Sequence, residues 1–487
     1  MGADYSHGQF MLSGRKIHKS REKNNPLKES TDSKKPTIFS ERLTLKTKIF
    51  YALGNWGNTT TTTIFGFFFA FFLTDIAHLK PLYVAPILLI GGVWDAINDP
   101  LVGVLVDRVR SRWGRRRPFF LFGALPYAFF FMMLWWVPPW TNQLALAGYY
   151  VIVYLLYDTA FTVVSVPYTA LTPELTEDYD ERTSLNGYSQ AVSIAGGLIA
   201  AISVPALKDS FLDQKTGFFV AGLIFGIFAF LPYLLLFFTV KERFSSTQQI
   251  SYNVLEAIQL TFKNKAFRYA AGIFLTAWAA VNLVGTELLY YLKYLMNLEH
   301  DFDNILGLLM GFGLLCVPFV VWLAKKKGKK TAYIISMVWW VVIMLILTIL
   351  PNQFGKAIYF LAASAGLGVA AAHVIPSSMI PDVIEEDELT TGFRREGTFY
   401  GILVFFQKVG TAVMLALAQF IFSQTGYIAD TIQNSATELA IRIFVGIIPA
   451  LLLVISIWLA WKFPIDKNKH ALLRAELAKK RAEAEVQ

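Results

Sequence analysis

Six ionisable residues sit where such groups are rarely found. Asp95, Asp99, Asp158, Glu287, His373 and Lys408 all lie inside long apolar stretches, away from their ends. An acid at the centre of a hydrocarbon layer costs about 2.5–3.5 kcal/mol on insertion scales, so each asks for a reason. Four acids against one certain base call for protons or a bound cation. Asp95 and Asp99 are the sharpest pair. Four residues apart on a helix, they share a face, about 6 Å apart along its axis. Carboxylates at that spacing repel, and Na⁺, Li⁺ or a shared proton relieves the repulsion. Asn98 adds an oxygen, and hard cations favour oxygen ligands. The bland alternative is a pair of capping or salt-bridge acids, but no base stands in the same stretch.

Lys408 lies about twelve residues into its own apolar stretch, too deep for one lysine to snorkel to water. It is expected to face inward and pair with Asp95 and Asp99. Tyr154, Asp158 and Thr162 fall on one helical face, which reads either as cavity lining or as interhelical hydrogen bonding. Glu287 reads as a solute contact or an interface anchor, and His373 as a proton relay or a satisfied donor. Asn55, Asn58 and Thr59 could line a cavity, although threonines also bond back to their own helix. Aromatics such as Trp56, Trp94 and Tyr154 suit sugar stacking as well as lipid packing.

The elements that carry these residues follow from composition. Of 487 residues, 55% are hydrophobic and 16% charged, against about 25% charged in soluble domains. Runs such as 118–138, 185–207 and 331–350 are long enough to cross a hydrocarbon core of about 30 Å as helices. They do not alternate polar and apolar, which argues against a β-barrel. Twelve spans are expected, near 48–73, 82–107, 118–137, 145–169, 184–205, 217–240, 268–293, 304–324, 331–350, 357–380, 396–424 and 440–462. On that frame Asp99 and Asp95 lie about 12 and 18 Å from the Asp107 end of their helix. The spacing implies cytosolic tails at 1–47 and 463–487, two six-helix halves at 48–240 and 268–462, and a linker at 241–267. The formal charge of +9 is explained by basic loops rather than by nucleic acid. Arg108 to Arg117, Lys241 to Arg268 and Lys325 to Lys330 place the even-numbered loops and both termini in the cytosol. A plasma-membrane protein that functions as a monomer is expected, with the lipid bilayer as its surroundings. Cys316 stands alone. With six histidines, mostly in tails and loops, and no HxxE-type cluster, neither an enzyme nor a metal centre is expected, Na⁺ aside.

The chain also repeats itself at roughly 210 residues, a plan that transporters use with the solute site between two halves. Gly114-Arg115-Arg116-Arg117 recurs as Gly328-Lys329-Lys330. Val166-Pro167, with Pro173-Glu174-Leu175 and Glu181-Arg182-Thr183, recurs as Ile375-Pro376, with Pro381-Asp382-Val383 and Arg394-Arg395-Glu396-Gly397. Asp107, Arg108, Arg115 and Arg116 are expected to meet the acidic exits that hold Glu174 and Asp382, with Arg182, Arg394 and Arg395 beside them. Such pairs would make a cytosolic gate, with Gly114 allowing its tight turn.

Gly103-Val104-Leu105-Val106-Asp107-Arg108 followed by Gly114-Arg115-Arg116-Arg117 resembles the loop-two signature of the major facilitator superfamily. Trp94-Asp95-Ala96-Ile97-Asn98-Asp99-Pro100, Ser111-Arg112-Trp113-Gly114 and Thr391-Gly392 with Arg394-Arg395-Glu396-Gly397 resemble the glycoside–pentoside–hexuronide:cation symporters within it. The likeness covers about 48–462. It implies an all-α integral membrane protein with the major facilitator fold, twelve helices in two pseudo-repeat halves. It also implies symport of a sugar or glycoside with Na⁺ or H⁺ by alternating access, with no other cofactor. In that family the aspartates matching Asp95 and Asp99 bind the coupling cation, with a lysine near them at the place of Lys408. The galactoside carriers of the family place charges where this chain has Asn58-Thr59, Ser165 and Ser189, so that specificity is not implied. Asp158, Val166 to Leu171 and Glu181-Arg182 resemble the lysophospholipid importers of the same family, which makes a lysolipid or other amphipathic solute the alternative.

Overall fold

The computed structural model describes residues 43–176, 179–240, 261–391 and 395–486. Twelve of its helices are long and apolar enough to cross a membrane. They are α1 (Leu45–Ile76), α2 (Pro81–Arg108), α3 (Arg117–Leu134), α4 (Gln143–Thr169), α5 (Tyr179–Asp209), α6 (Gln214–Thr239), α7 (Lys265–Met296), α8 (Phe302–Lys327), α9 (Lys329–Ile349), α10 (Ala357–Thr391), α11 (Glu396–Thr425) and α12 (Ser435–Lys462). A last helix, α13 (Lys467–Val486), follows them.

Local chemistry sets the helix ends. Asn142, Asp213, Asn264 and Asn434 cap α4, α6, α7 and α12, each accepting from backbone N–H groups of the first turn, which satisfies donors a helix start leaves over. Gly114 (φ 106°) and Gly328 (φ 87°) make the tight turns before α3 and α9, a backbone region glycine enters without steric cost. The helices show apolar side chains outward, among them Leu105, Phe122, Leu125 and Leu315, as a lipid-facing surface requires.

Small residues decide which helices touch. Gly57 meets the backbone of Ala229, and Gly366 meets the backbone of Gly313, so α1 closes on α6 and α10 on α8. Close approach of this kind replaces the hydrophobic drive that lipid removes. Contacts in the first six helices (α1 with α5 and α6, α3 with α4 and α6, α2 with α4) recur six helices later (α7 with α11 and α12, α9 with α10 and α12, α8 with α10). The two groups of six meet through α2 with α11, α5 with α8, and α1 with α7.

The expected ends of three helices are corrected. Helix α10 does not leave the bundle at Pro376. It continues through Pro376 and Pro381 to Thr391, so the acids from Asp382 to Glu388 are on the helix rather than in a loop. Proline is tolerated because α7, α8 and α9 pack around α10. Helices α1 and α7 run on past their expected ends through matched π-type turns, Phe72–Ile76 and Leu292–Met296. The expected tail 463–487 contains α13, tied to α10 by Lys469–Glu386 (2.6 Å) and His470–Asp382 (3.2 Å). Most of the expected linker (241–260) and N-terminal tail (1–42) lies outside the described residues.

Candidate cation and solute site

Three helices bring the central charges together. Helix α2 carries Asp95, Asn98 and Asp99, α4 carries Tyr154, Asp158 and Thr162, and α11 carries Lys408. A Cβ at Gly91 would lie 1.8 Å from the Tyr154 ring, and one at Gly92 would lie 2.3 Å from the Ala412 Cβ. Two adjacent glycines therefore let α4 and α11 close on either side of α2. Pro100 adds a further local feature. It has no N–H, so the carbonyl of Ala96, between the two aspartates, loses its intrahelical donor.

The Lys408 ammonium bridges the pair, with Nζ 2.6 Å from Asp95 Oδ1 and 2.5 Å from Asp99 Oδ2. Thr162 Oγ1 donates to Asp99 Oδ1 at 3.1 Å. Asn98 is buried and turned toward α4, its amide donating to Asp158 Oδ2 at 3.3 Å and to the Asp158 carbonyl at 3.4 Å. Asp158 is also within hydrogen-bonding reach of Asp95. Trp94 Nε1 donates to Thr159 Oγ1 at 3.0 Å beside the cluster. The Lys408, Asp95 and Asp99 side chains are 22, 23 and 31% exposed, whereas Asp158 is 4% exposed. The bridged pair thus borders open space, and Asp158 backs it.

Three carboxyls and one ammonium do not balance. If one proton is shared by Asp95 and Asp158, the cluster keeps a single negative charge, the amount that one monovalent cation neutralises. Lys408 already occupies the space between the two carboxylates. A cation binding there competes with the ammonium for the same oxygens.

Other expected site residues are placed differently. Asn55 donates to the Ser189 carbonyl (3.4 Å), Thr59 pairs with Ser193 (2.6 Å) and Asn58 accepts from Tyr233. These side chains tie α1 to α5 and α6, although each stays partly exposed. Tyr154 is buried against Phe65 and Phe69. His373 donates from Nδ1 to the Val369 carbonyl (2.8 Å) on its own helix and rests edge-on against Trp278. Glu287 is fully buried.

The basic end of the bundle holds further ion pairs. Arg395 makes a bidentate pair with Asp387 (2.7 and 3.0 Å), and Asp382 takes Lys329 (2.6 Å). Both pairs are made within the second group of six. Glu181 takes Lys48 (2.9 Å) within the first. Arg117, next to Arg115 and Arg116, donates to the Phe237 carbonyl and stacks on its ring. Arg116 is buried, Arg108 is exposed, and Gly114 forms its turn with Ser111 (3.1 Å). The side chains of Asp107, Glu174 and Arg182, and the whole of Arg394, lie outside the described residues.

At the opposite end the two groups of six are bonded to each other by residues the sequence reading did not single out. The Asp75 side chain, 0% exposed on the π turn of α1, takes Lys293 Nζ (2.8 Å), Tyr294 and Tyr427 (2.5 Å) from the other group, and Thr74 (2.6 Å) from its own helix. Burial first, then the nearby Asp75 charge, hold the Tyr427 hydroxyl well above its ordinary pKa, so it remains a donor. Lys208 at the end of α5 takes Glu299 (2.7 Å), which precedes α8. All these residues lie near span ends, where charge is unremarkable. A usable signal was the opposite charge of Asp75 and Lys293 at the far ends of α1 and α7, helices that correspond under the repeat.

Comparison with known proteins agrees with this architecture. The model of the family described as MFS/sugar transport protein matches residues 50–467. An uncharacterized symporter of Synechocystis is 33% identical, over 91% of this chain and 98% of its own. Sodium-dependent lysophosphatidylcholine symporter 1-A of Danio rerio is 28% identical, over 88% and 87% of the two chains. The putative glycoside/cation symporter YagG of Escherichia coli is also 28% identical, over 84% and 90%. Among solved structures, a D-xylose-proton symporter superposes with a TM-score of 0.62 at 17% identity, over 85% of this chain and 97% of that one.

Proposed function

The chain belongs to the MFS/sugar transport protein family, and from that premise we propose how it couples a cation to a solute. It is a multi-pass, cation-coupled symporter and not an enzyme. The coupling cation binds between Asp95 and Asp99, with the Thr162 hydroxyl and the Ala96 carbonyl completing an oxygen shell, and it displaces Lys408. The single observation that carries this reading is the Lys408 ammonium lying 2.5–2.6 Å from both carboxylates across the two halves. In the empty carrier Lys408 holds α11 against α2. When the cation enters, Lys408 is released and the halves are free to rock about the site. Na⁺ is the first candidate because the site offers hard oxygens, and H⁺ is the second because Asp95 and Asp158 can share a proton.

The basic end is read as cytosolic, with both termini inside and the plasma membrane as the site of action. Asp75 and Lys208 then close the outer side, and the structure is an inward-facing state.

For the solute, the polar inventory favours an amphipathic molecule of the lysophospholipid class. A sugar needs a ring of free donors and acceptors. Here Asn55, Asn58 and Thr59 join helices and His373 bonds its own backbone. The compact charged cluster of Asp95, Asp99 and Lys408 suits a charged headgroup. The likeness to lysophosphatidylcholine symporters supports this reading. A sugar or glycoside is the second reading. It is supported by the partly exposed indoles of Trp56 and Trp94, which suit ring stacking, and by the likeness to a putative glycoside symporter.

The test is uptake into proteoliposomes under an imposed Na⁺ or proton gradient. Labelled lysophosphatidylcholine is offered against a panel of mono- and disaccharides. Concentrative uptake of lysophosphatidylcholine is expected. Concentrative uptake of a sugar alone establishes the second reading, and equilibration that ignores both gradients removes the coupling mechanism.

A further inference from the structure

Glu287 is an acid within α7 that the coupling scheme does not use. It is fully buried, and among the described residues neither of its carboxylate oxygens has a hydrogen-bond partner. The same turn of α7 is pressed against α1. Thr286 Oγ1 donates to the Gly66 carbonyl (3.0 Å), and a Cβ at Gly285 would lie 2.7 Å from the Phe67 ring. Glu287 stands six residues before Lys293, about 9 Å along the helix from the outer closure. The turn of α7 that carries it is thus covered by α1.

Ionisable groups on the helices packed against α7 are engaged elsewhere. On α1, Asp75 holds Lys293. On α10, His373 bonds Val369. On α11, Lys408 bridges Asp95 and Asp99. On α12, Arg442 donates to the carbonyls of Thr348 and Leu350. On α7 itself Tyr290, one turn on, bonds Thr74 and Gln419. Among the described residues no hydrogen-bond donor and no cation meets the Glu287 carboxylate. A buried charge without either is far more costly than the neutral acid.

We propose that Glu287 is a proton-binding site tied to the outer gate, taking one proton from the outer solution as α1 closes on α7 and returning it when they part. The step is the addition of one proton to one carboxylate. It rests on the alternating-access reading above. When the outer side opens, water reaches Glu287, and a hydrated glutamate ionises above about pH 4.3. The closed state therefore binds one more proton than the open state. External acid favours closure, and external alkali favours opening.

The experiment uses the full chain in lipid vesicles, with Cys316→Ala and a single reporter, Phe71→Cys. Phe71 is fully buried against Tyr290 and Lys293, so an impermeant maleimide reaches that position when the outer side opens. Labelling rates are compared for Glu287, Glu287→Gln and Glu287→Leu across external pH, and the variants control for the intrinsic reactivity of the thiol. The expected result is that the rate relative to either variant rises with pH. Infrared spectra should show a free carboxylic acid band in the Glu287 protein that both substitutions remove. The same labelling with and without Na⁺ tests the cation site separately. The Na⁺ response should survive both Glu287 substitutions and vanish in Asp95→Asn. An identical pH profile in all three proteins overturns the Glu287 proposal, as does the absence of a free acid band in the Glu287 protein whatever the variants do. Loss of the Na⁺ distinction alone counts against the Asp95 reading and leaves Glu287 standing.

Discussion

At the scale of single residues, the proposed cation site is an arrangement of three carboxyls and one ammonium. Asp95→Asn and Asp99→Asn each remove a proposed cation ligand while relieving repulsion. Each should abolish cation-driven accumulation in proteoliposomes with a normal yield of folded protein, and full accumulation in either variant would remove the pair from the mechanism. Lys408→Ala leaves acids without their base. A fully buried pair loses about 3–5 kcal/mol when one partner goes. The loss here should be smaller, because the three side chains are 22–31% exposed. Transport should fail and thermal stability should drop. Lys408→Arg should transport partially, since a planar guanidinium does not fit a position built for a compact ammonium. Adding Asp95→Asn to Lys408→Ala should recover folded yield without recovering coupling. Normal uptake by Lys408→Ala is the outcome that refutes the displacement scheme.

At the scale of helices, the site exists because α2 has no side chain at two successive positions. Gly92→Val drives methyl groups into Ala412, where even a Cβ has 2.3 Å. Overpacking of that kind costs about 1–3 kcal/mol, and here it also lifts α11, with Lys408, away from Asp95 and Asp99. A lower melting temperature and weaker Na⁺ protection should appear together. Gly148→Ala, in α4 with no atom within 4 Å of the added Cβ, is the control. It should be neutral or stabilise the helix by about 0.5–1 kcal/mol. If Gly92→Val and Gly148→Ala behave alike in thermal unfolding, the close approach is not what positions the cluster. Gly114, at φ 106°, is a further element-scale test. Alanine there should strain the α2–α3 turn by about 1–2 kcal/mol and slow the exchange between inward and outward states more than it weakens solute binding.

At the scale of the whole molecule, the proposed mechanism puts the balance between states at the end opposite the basic loops. Asp75 gathers Lys293, Tyr294 and Tyr427 from the other half, and Lys208 reaches Glu299. Asp75→Asn keeps the shape of the side chain and removes the charge that Lys293 meets. Every 1.4 kcal/mol lost from the closed state shifts the two populations about tenfold. The variant should therefore raise the outward-open fraction, read as a longer distance between spin labels at the outer ends of α1 and α7. Lys208→Met should act in the same direction. An unchanged distance distribution in the Asp75→Asn, Lys208→Met double variant would show that apolar packing of α1 on α7, and not these ion pairs, closes the outer side.

Much of this was legible from residue order alone, because a bilayer imposes a simple rule. Long uncharged runs must be helices, since the hydrocarbon core leaves backbone groups no other partner. A charge inside such a run is conspicuous for the same reason, which is how Asp95, Asp99 and Lys408 stood out. The i, i+4 spacing placed both aspartates on one face without any knowledge of neighbours. Tertiary structure decided what spacing cannot show. Asn55, Asn58 and Thr59 carry the same polarity whatever they touch, and only the placement of α5 and α6 shows the bonds they make. Proline ends a helix by local rule, yet α10 passes through Pro376 and Pro381 because neighbouring helices enclose it. Asp75 and Lys293 look like ordinary charges at the ends of two spans. They become an ion pair only when α1 and α7, more than two hundred residues apart in the chain, are packed side by side.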